Sequence, residues 1–189
     1  MRRVAILCAS RPSAYSSIAG VDVYDSIRDA RTFNGGCPVV AHPPCRGWSA
    51  YTAHQAKPEP GELELGIWCA EQVVACGGVL EQPAHSRLFA AASLPQPGEP
   101  ERGGLWSTEC WQAWWGYPMR KATWLMFSRI PLDSIYFPFR LHARGADRRR
   151  QQVMSKRQRA ATCPSFAAWL VDMARHEIGL HNSDQTCDD

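Results

Sequence analysis

None of the eight cysteines, at positions 8, 37, 45, 69, 76, 110, 163 and 187, forms a Cys-x-x-Cys pair. Zinc ribbons and fingers are thereby excluded, and the nearest approach to ligand spacing is Cys37, His42 and Cys45. No metal is expected. The cysteines are also too scattered for a small disulfide framework, which predicts a reducing, cytoplasmic setting. Long apolar runs are missing as well. Nothing approaches the roughly 20 residues that span a bilayer. Met1-Arg2-Arg3 is followed only by the short run Val4 to Leu7, so neither a membrane segment nor a secretory leader is expected. No internal repeat or low-complexity tract is present, which sets aside solenoids and fibrous folds. Charge of one sign is scarce too. Lys and Arg number 21 against 18 Asp and Glu, and a net charge of +3 is too small to name a partner from the sum alone.

What is present points to one globular domain. A chain of 189 residues, 45% of them hydrophobic, buries about 70% of its unfolded surface and needs no disulfide to hold a core. Val4 to Leu7 reads as a buried strand, and Val21 to Tyr24 and Pro38 to Ala41 as two more. A short helix is expected over residues 14–18. Leu63 to Ala75 carries apolar residues at 63, 67, 70, 73 and 74, which is helical spacing, and Gly77-Gly78 stops it before a strand through Val79-Leu80. Ala122 to Phe127 is a further strand and Ile135 to Phe139 an edge strand limited by Pro138. A last helix begins at Pro164-Ser165. Short strands alternating with helices predict an α/β fold, a Rossmann-like three-layer sandwich with a mostly parallel sheet. It is expected to cover residues 1–180, with a Trp-rich insertion near 93–121 and a disordered tail over 181–189. Trp111 and Trp115 share a helical face in this reading and serve the core.

In such sheets reactive groups sit beyond the carboxyl ends of the strands. Two turns occupy that place: His42-Pro43-Pro44-Cys45-Arg46-Gly47-Trp48-Ser49 after one strand, and Glu81-Gln82-Pro83 ending another. The prolines make the first turn rigid and extended. A cysteine on such a turn and a carboxylate ending a neighbouring strand can converge on one ligand as nucleophile and acid. His42 and His85, one beside each turn, are placed to lower the thiol pKa or shuttle a proton, and Arg46 to meet a phosphate. Each has a plain structural counterpart, a loop hydrogen bond or a surface ion pair. Arg140 to Arg159 holds eight Arg or Lys residues. Arg149, Lys156 and Arg157 are its candidates for binding phosphates in a salt-sensitive way.

Val39 to Ser49 resembles the Pro-Pro-Cys motif of DNA cytosine-5 methyltransferases, and Gly78 to Pro83 resembles that family's strand ending in Glu-Asn-Val. Asp25-Ser26-Ile27 is similar to its Asp-Ile motif beside the cofactor adenine. The resemblance covers roughly residues 20–90. It implies Cys45 as nucleophile, Glu81 as the acid contacting the base, Pro44 and Ser49 in the substrate turn, and S-adenosylmethionine near Asp25. The family's Phe-x-Gly-x-Gly loop has no counterpart, since Leu7-Cys8-Ala9-Ser10-Arg11-Pro12-Ser13 contains no glycine. Lys156-Arg157, Thr162, Pro164, Phe166-Ala167 and Trp169-Leu170 further resemble the closing segment of small phage and prophage proteins. The expectation is thus a reduced, pyrimidine-modifying enzyme acting on DNA or a nucleotide, with no membrane partner. A DNA-binding or decoy protein that has lost its cofactor and an enzyme of free nucleotides are the alternatives.

Overall fold

The computed structural model describes residues 1–50, 56–138, 154–155 and 161–176. The basic residues Arg149, Lys156 and Arg157 and the expected tail over 181–189 lie outside them. In chain order the strands and helices are β1 (Val4–Leu7), β2 (Val21–Val23), β3 (Val39–Ala41), α1 (Glu62–Cys76), β4 (Gly78–Pro83), α2 (Leu88–Ala91), β5 (Leu105–Trp111), β6 (Ala122–Ser128) and α3 (Pro164–Arg175). Among the described residues no helix is long and apolar enough to cross a membrane.

The strands form one sheet in the order β2-β1-β3-β4-β6-β5. β1 pairs in parallel with β2 and β3, and β3 with β4. β6 runs antiparallel to both β4 and β5. The expected α/β class is therefore present, but the sheet is mixed rather than mostly parallel. The reason is local: the short connection over residues 112–121 returns β6 antiparallel to β5. Leu105–Trp111 was expected within an insertion, with Trp111 and Trp115 on a helix. It is instead the edge strand of this sheet, and Gln112–Trp115 is a 3-10 turn. Residues 14–18 are turns rather than a helix, and residues 135–138 form no strand.

Alternation along the strands divides the core in two. Val4, Ile6, Val40, Val79 and Phe127 point to the face covered by α3, and Ala5, Leu7, Val39, Leu80 and Met126 to the face covered by α1. A strand buried on both faces must be apolar throughout, which is why Val4 to Leu7 shows no polar alternation. Trp106, Trp114, Trp115 and Trp169 belong to the α3 side, Trp48, Trp68 and Trp124 to the α1 side. Trp115 lies 4.7 Å from both Phe166 and Trp169, Trp106 stacks on Phe127, and the indole N–H groups of Trp106 and Trp169 donate to the carbonyls of Ile130 and Tyr136.

The chain leaves β1 over the α3 face, through Ala14, Tyr15 and Ile18, to reach β2 on one side. It comes back over the opposite face, through Tyr24, Ala30 and Phe33, to reach β3 on the other side of β1. Crossovers of one hand running in opposite directions must use opposite faces. The reversal between β1 and β3 opens the sheet at its carboxyl end, the topological switch point where ligands bind.

Gly78, with φ +119, sets the β3–β4 contact: a Cβ there would lie 2.0 Å from the Val39 carbonyl oxygen. Gly78→Ala is expected to lower stability by about 3 kcal/mol or more. Gly36→Ala, where φ is also positive but nothing lies within 4 Å, is expected to cost about 1 kcal/mol. Urea unfolding midpoints of the two variants provide the comparison.

Candidate active site

At the switch point the loops after β1, β3 and β4 enclose a pocket of about 300 Å³. Tyr15, His42, Pro44, Cys45, Glu81, Lys121 and Thr162 are among its lining residues. Parallel register pairs Ala41 with Leu80, so the next residue of each strand, His42 and Glu81, emerges at the same depth. They meet: His42 Nδ1 lies 3.0 Å from Glu81 Oε2. The other ring nitrogen of His42 is hydrogen-bonded to the Tyr15 hydroxyl. Glu81 Oε1 accepts from Gln112 Nε2 at 3.1 Å, and the same amide donates to Thr123 Oγ1 at 3.2 Å. Each carboxylate oxygen thus already accepts one hydrogen bond from the protein.

The Pro-Pro turn is held from beneath. Pro43 and Pro44 have no backbone N–H, so the segment cannot continue the ladder by itself. Gln82, 1% exposed, donates from Nε2 to the Pro43 carbonyl at 2.6 Å and accepts from Ser86 Oγ at 3.0 Å. Past the prolines, the Cys45 carbonyl accepts from the backbone N–H groups of both Trp48 and Ser49, and Arg87 N–H donates to the Trp48 carbonyl. A Cβ on Gly66 would fall 2.4 Å from Trp48 Nε1, so the small residue in α1 admits the indole that anchors the turn. Cys45 therefore sits on a fixed loop, exposed at the pocket mouth.

Four groups have their pKa shifted by this enclosure. Burial alone would raise the Glu81 pKa, but the His42 hydrogen bond and charge, Lys121 and Gln112 together outweigh it and hold the carboxyl below its ordinary value. Tyr15 is pushed well above its ordinary value by burial and by the Glu81 charge, so its hydroxyl stays protonated. Cys45 is raised by the protein packed around its thiol and then by Glu81, against a smaller opposing pull from Lys121. Burial lowers Lys121, while Glu81 and Cys45 work in the other direction. When the Tyr15 O–H donates to His42 Nε2, the ring presents Nδ1–H to Glu81.

Of the residues singled out from sequence, His42, Pro44, Cys45 and Glu81 come together here. His85 is exposed and does not line the pocket; its ring packs edge-on against Trp124 at 5.0 Å. Arg46 turns outward, 3.0 Å from Glu59 and 3.8 Å from Glu62, and is thus a surface ion pair. Ser49 contributes its backbone N–H to the Cys45 turn. Asp25 lies in a neighbouring depression of about 390 Å³ that shares Cys8 and Pro44 with the first. Its Oδ1 accepts from the backbone of Ile27 and Arg28, and its Oδ2 pairs with Arg11 at 3.1 Å. Sequence reasoning did not assign roles to Tyr15, Gln112, Lys121 or Thr162. Gln82, in the Glu-Gln-Pro motif, and Thr162, in the closing segment, stood inside motifs that could have flagged them. Among the described residues no group of three or more His, Cys, Asp or Glu side chains is arranged to hold a metal.

Fold and site together define an α/β protein with a cysteine, a histidine and a buried carboxylate at the switch point of its sheet. No family model, curated protein or solved structure matches the chain.

Glu81 is more acidic folded than unfolded, so its contribution to stability is present above its ordinary pKa of 4.5 and is lost as pH falls through its lower folded value. Glu81→Gln is therefore expected to flatten the acid limb of stability against pH, read from urea midpoints. Because Glu81 also raises Cys45, the same variant is expected to speed Cys45 alkylation by iodoacetamide at neutral pH about three-fold, followed peptide by peptide in a mass spectrometer.

Proposed function

We propose that the protein acts on pyrimidine bases of nucleic acid, with Cys45 adding covalently to the ring and Glu81 holding the ring's edge. The observation that carries this reading is the convergence of the Pro-Pro-Cys turn and the Glu-Gln-Pro strand end on one pocket. The pocket lies at the lower end of the size range of ligand sites, suited to a single base turned out of its stack. Helices on both faces of the sheet fit a reduced Rossmann-like sandwich, and a cytoplasmic setting fits the absence of disulfides among the described cysteines.

The chemistry available to these residues balances without an added reagent. Cys45 loses its proton to solvent and its sulfur bonds to C6, while the C5–C6 π pair moves onto C5. C5 captures a proton from water; the original C5 hydrogen then leaves as a proton, and elimination of Cys45 restores the ring. The net change is exchange of the C5 hydrogen with solvent.

The resemblance to cytosine-5 methyltransferases brings S-adenosylmethionine as the donor of a methyl group to C5. The residues around Asp25 do not fit it. Three donors already occupy the Asp25 carboxylate. After β1 the chain has Cys8 at φ +61, its thiol 3.6 Å from that of Cys69, where close backbone approach to a ligand calls for glycine. No transfer step is therefore derived. This misfit favours a second reading, a nucleic-acid-binding protein that kept a base pocket without a methyl donor.

Incubation with pyrimidine-containing DNA in deuterated water distinguishes the two. Deuterium at C5 that disappears in Cys45→Ala is the expected result. DNA binding without exchange would favour the second reading and overturn the first.

A further inference from the structure

We infer that the base this site takes is of the uracil type, presenting an N3–H donor, rather than cytosine. This rests on the proposed action at a pyrimidine and deepens it.

The argument is one of donors and acceptors. Glu81 Oε2 lies 3.0 Å from His42 Nδ1, and Oε1 accepts from the Gln112 amide at 3.1 Å. The Gln112 orientation is tied to its neighbours, since Nε2 also donates to Thr123 Oγ1, whose own hydroxyl donates to the Lys121 carbonyl at 2.9 Å. A group that receives N–H donors on both oxygens is built as a carboxylate, and a carboxylate only accepts. Lys121 supplies a positive charge in the same pocket wall. The lowered pKa of Glu81 agrees with this arrangement but is secondary to it.

Uracil answers that pattern. Its N3–H donates to Glu81, and the electron pair displaced when Cys45 attacks C6 delocalises onto O4, where the Lys121 charge lowers its energy. Cytosine does not. Its N3 is a lone pair, and opposite a carboxylate the two lone pairs repel. Turning the N4 amino group toward Glu81 satisfies the ground state. The adduct then accumulates charge at N3 with no proton on the carboxylate to meet it. Supplying that proton means giving up the ionised state that the His42 and Gln112 donors favour.

His42 and Tyr15 act here as positioning residues. Through Nδ1–H the imidazole fixes the direction of Oε2, and the Tyr15 hydroxyl fixes the tautomer by occupying Nε2.

The test uses the full chain and short oligodeoxynucleotides, single- and double-stranded, that differ only in carrying one deoxyuridine or one deoxycytidine, with dUMP and dCMP alongside. Deuterium uptake at C5 is read by mass spectrometry after digestion, with Cys45→Ala as control. The expected result is exchange on uracil faster than on cytosine by about ten-fold or more, the scale of a well-placed base contact. In Glu81→Gln the amide gains a donor that can meet the cytosine N3, so the preference is expected to narrow markedly. Equal rates, or faster exchange on cytosine, would overturn the inference while leaving pyrimidine chemistry standing. An unchanged preference in Glu81→Gln would overturn Glu81 as the group that reads the base. Exchange on neither base would instead remove the reading on which the inference rests.

Discussion

Parallel pairing of β3 with β4 brings two strand ends to one depth, and the His42–Glu81 hydrogen bond at 3.0 Å is the consequence. Everything else in the pocket is arranged around that contact. Gly78 allows the strands to approach closely at their beginning, where a Cβ would strike the Val39 carbonyl. Gln82 clamps the proline turn at their end. Between these points all of Val39, Val40, Ala41, Val79 and Leu80 are fully buried, so a shift of register would expose or misplace an entire set of apolar side chains.

The electrostatics follow from the same geometry. Burying a carboxylate is unfavourable unless it is paired and hydrogen-bonded. Glu81 has His42 and Gln112 as hydrogen-bond partners, and the Lys121 charge nearby, and these tip the balance toward the ionised form. The anion in turn acts on its neighbours, raising both Tyr15 and Cys45. One buried charge thus raises the pKa of both a hydroxyl and a thiol. With its pKa raised, Cys45 is mainly a thiol at neutral pH, so a bound ligand that excludes water or neutralises Glu81 changes its reactivity directly.

Local signals were legible wherever packing agreed with pattern. The continuous apolar run of β1, the spacing of α1, the stop at Gly77 and the proline start of α3 all reappear in the structure. The two motif turns were legible because proline and strand-end chemistry are local. β5 was not. Trp111 has helical spacing to Trp115, yet pairing with β6 across seven positions from Leu105 to Trp111 overrode that preference. Residues 14–18 failed for a similar reason: Tyr15 is drawn to His42 and the core, and no helical ladder forms in so short a piece.

By itself the sequence determined an α/β core, the rigid cysteine turn and a carboxylate at a strand end, since each depends on residues within a few positions of one another. Tertiary structure alone decided the mixed sheet and the separation of His85 and Arg46 from the pocket. It also decided the recruitment of Tyr15, Gln112 and Lys121 to Glu81. Those outcomes depend on strand order and on contacts between residues well separated in the chain, from 13 positions for Arg46 with Glu59 to 31 for Glu81 with Gln112. No local periodicity records such distances, because they arise only when the whole sheet is assembled and its buried polar groups must find partners.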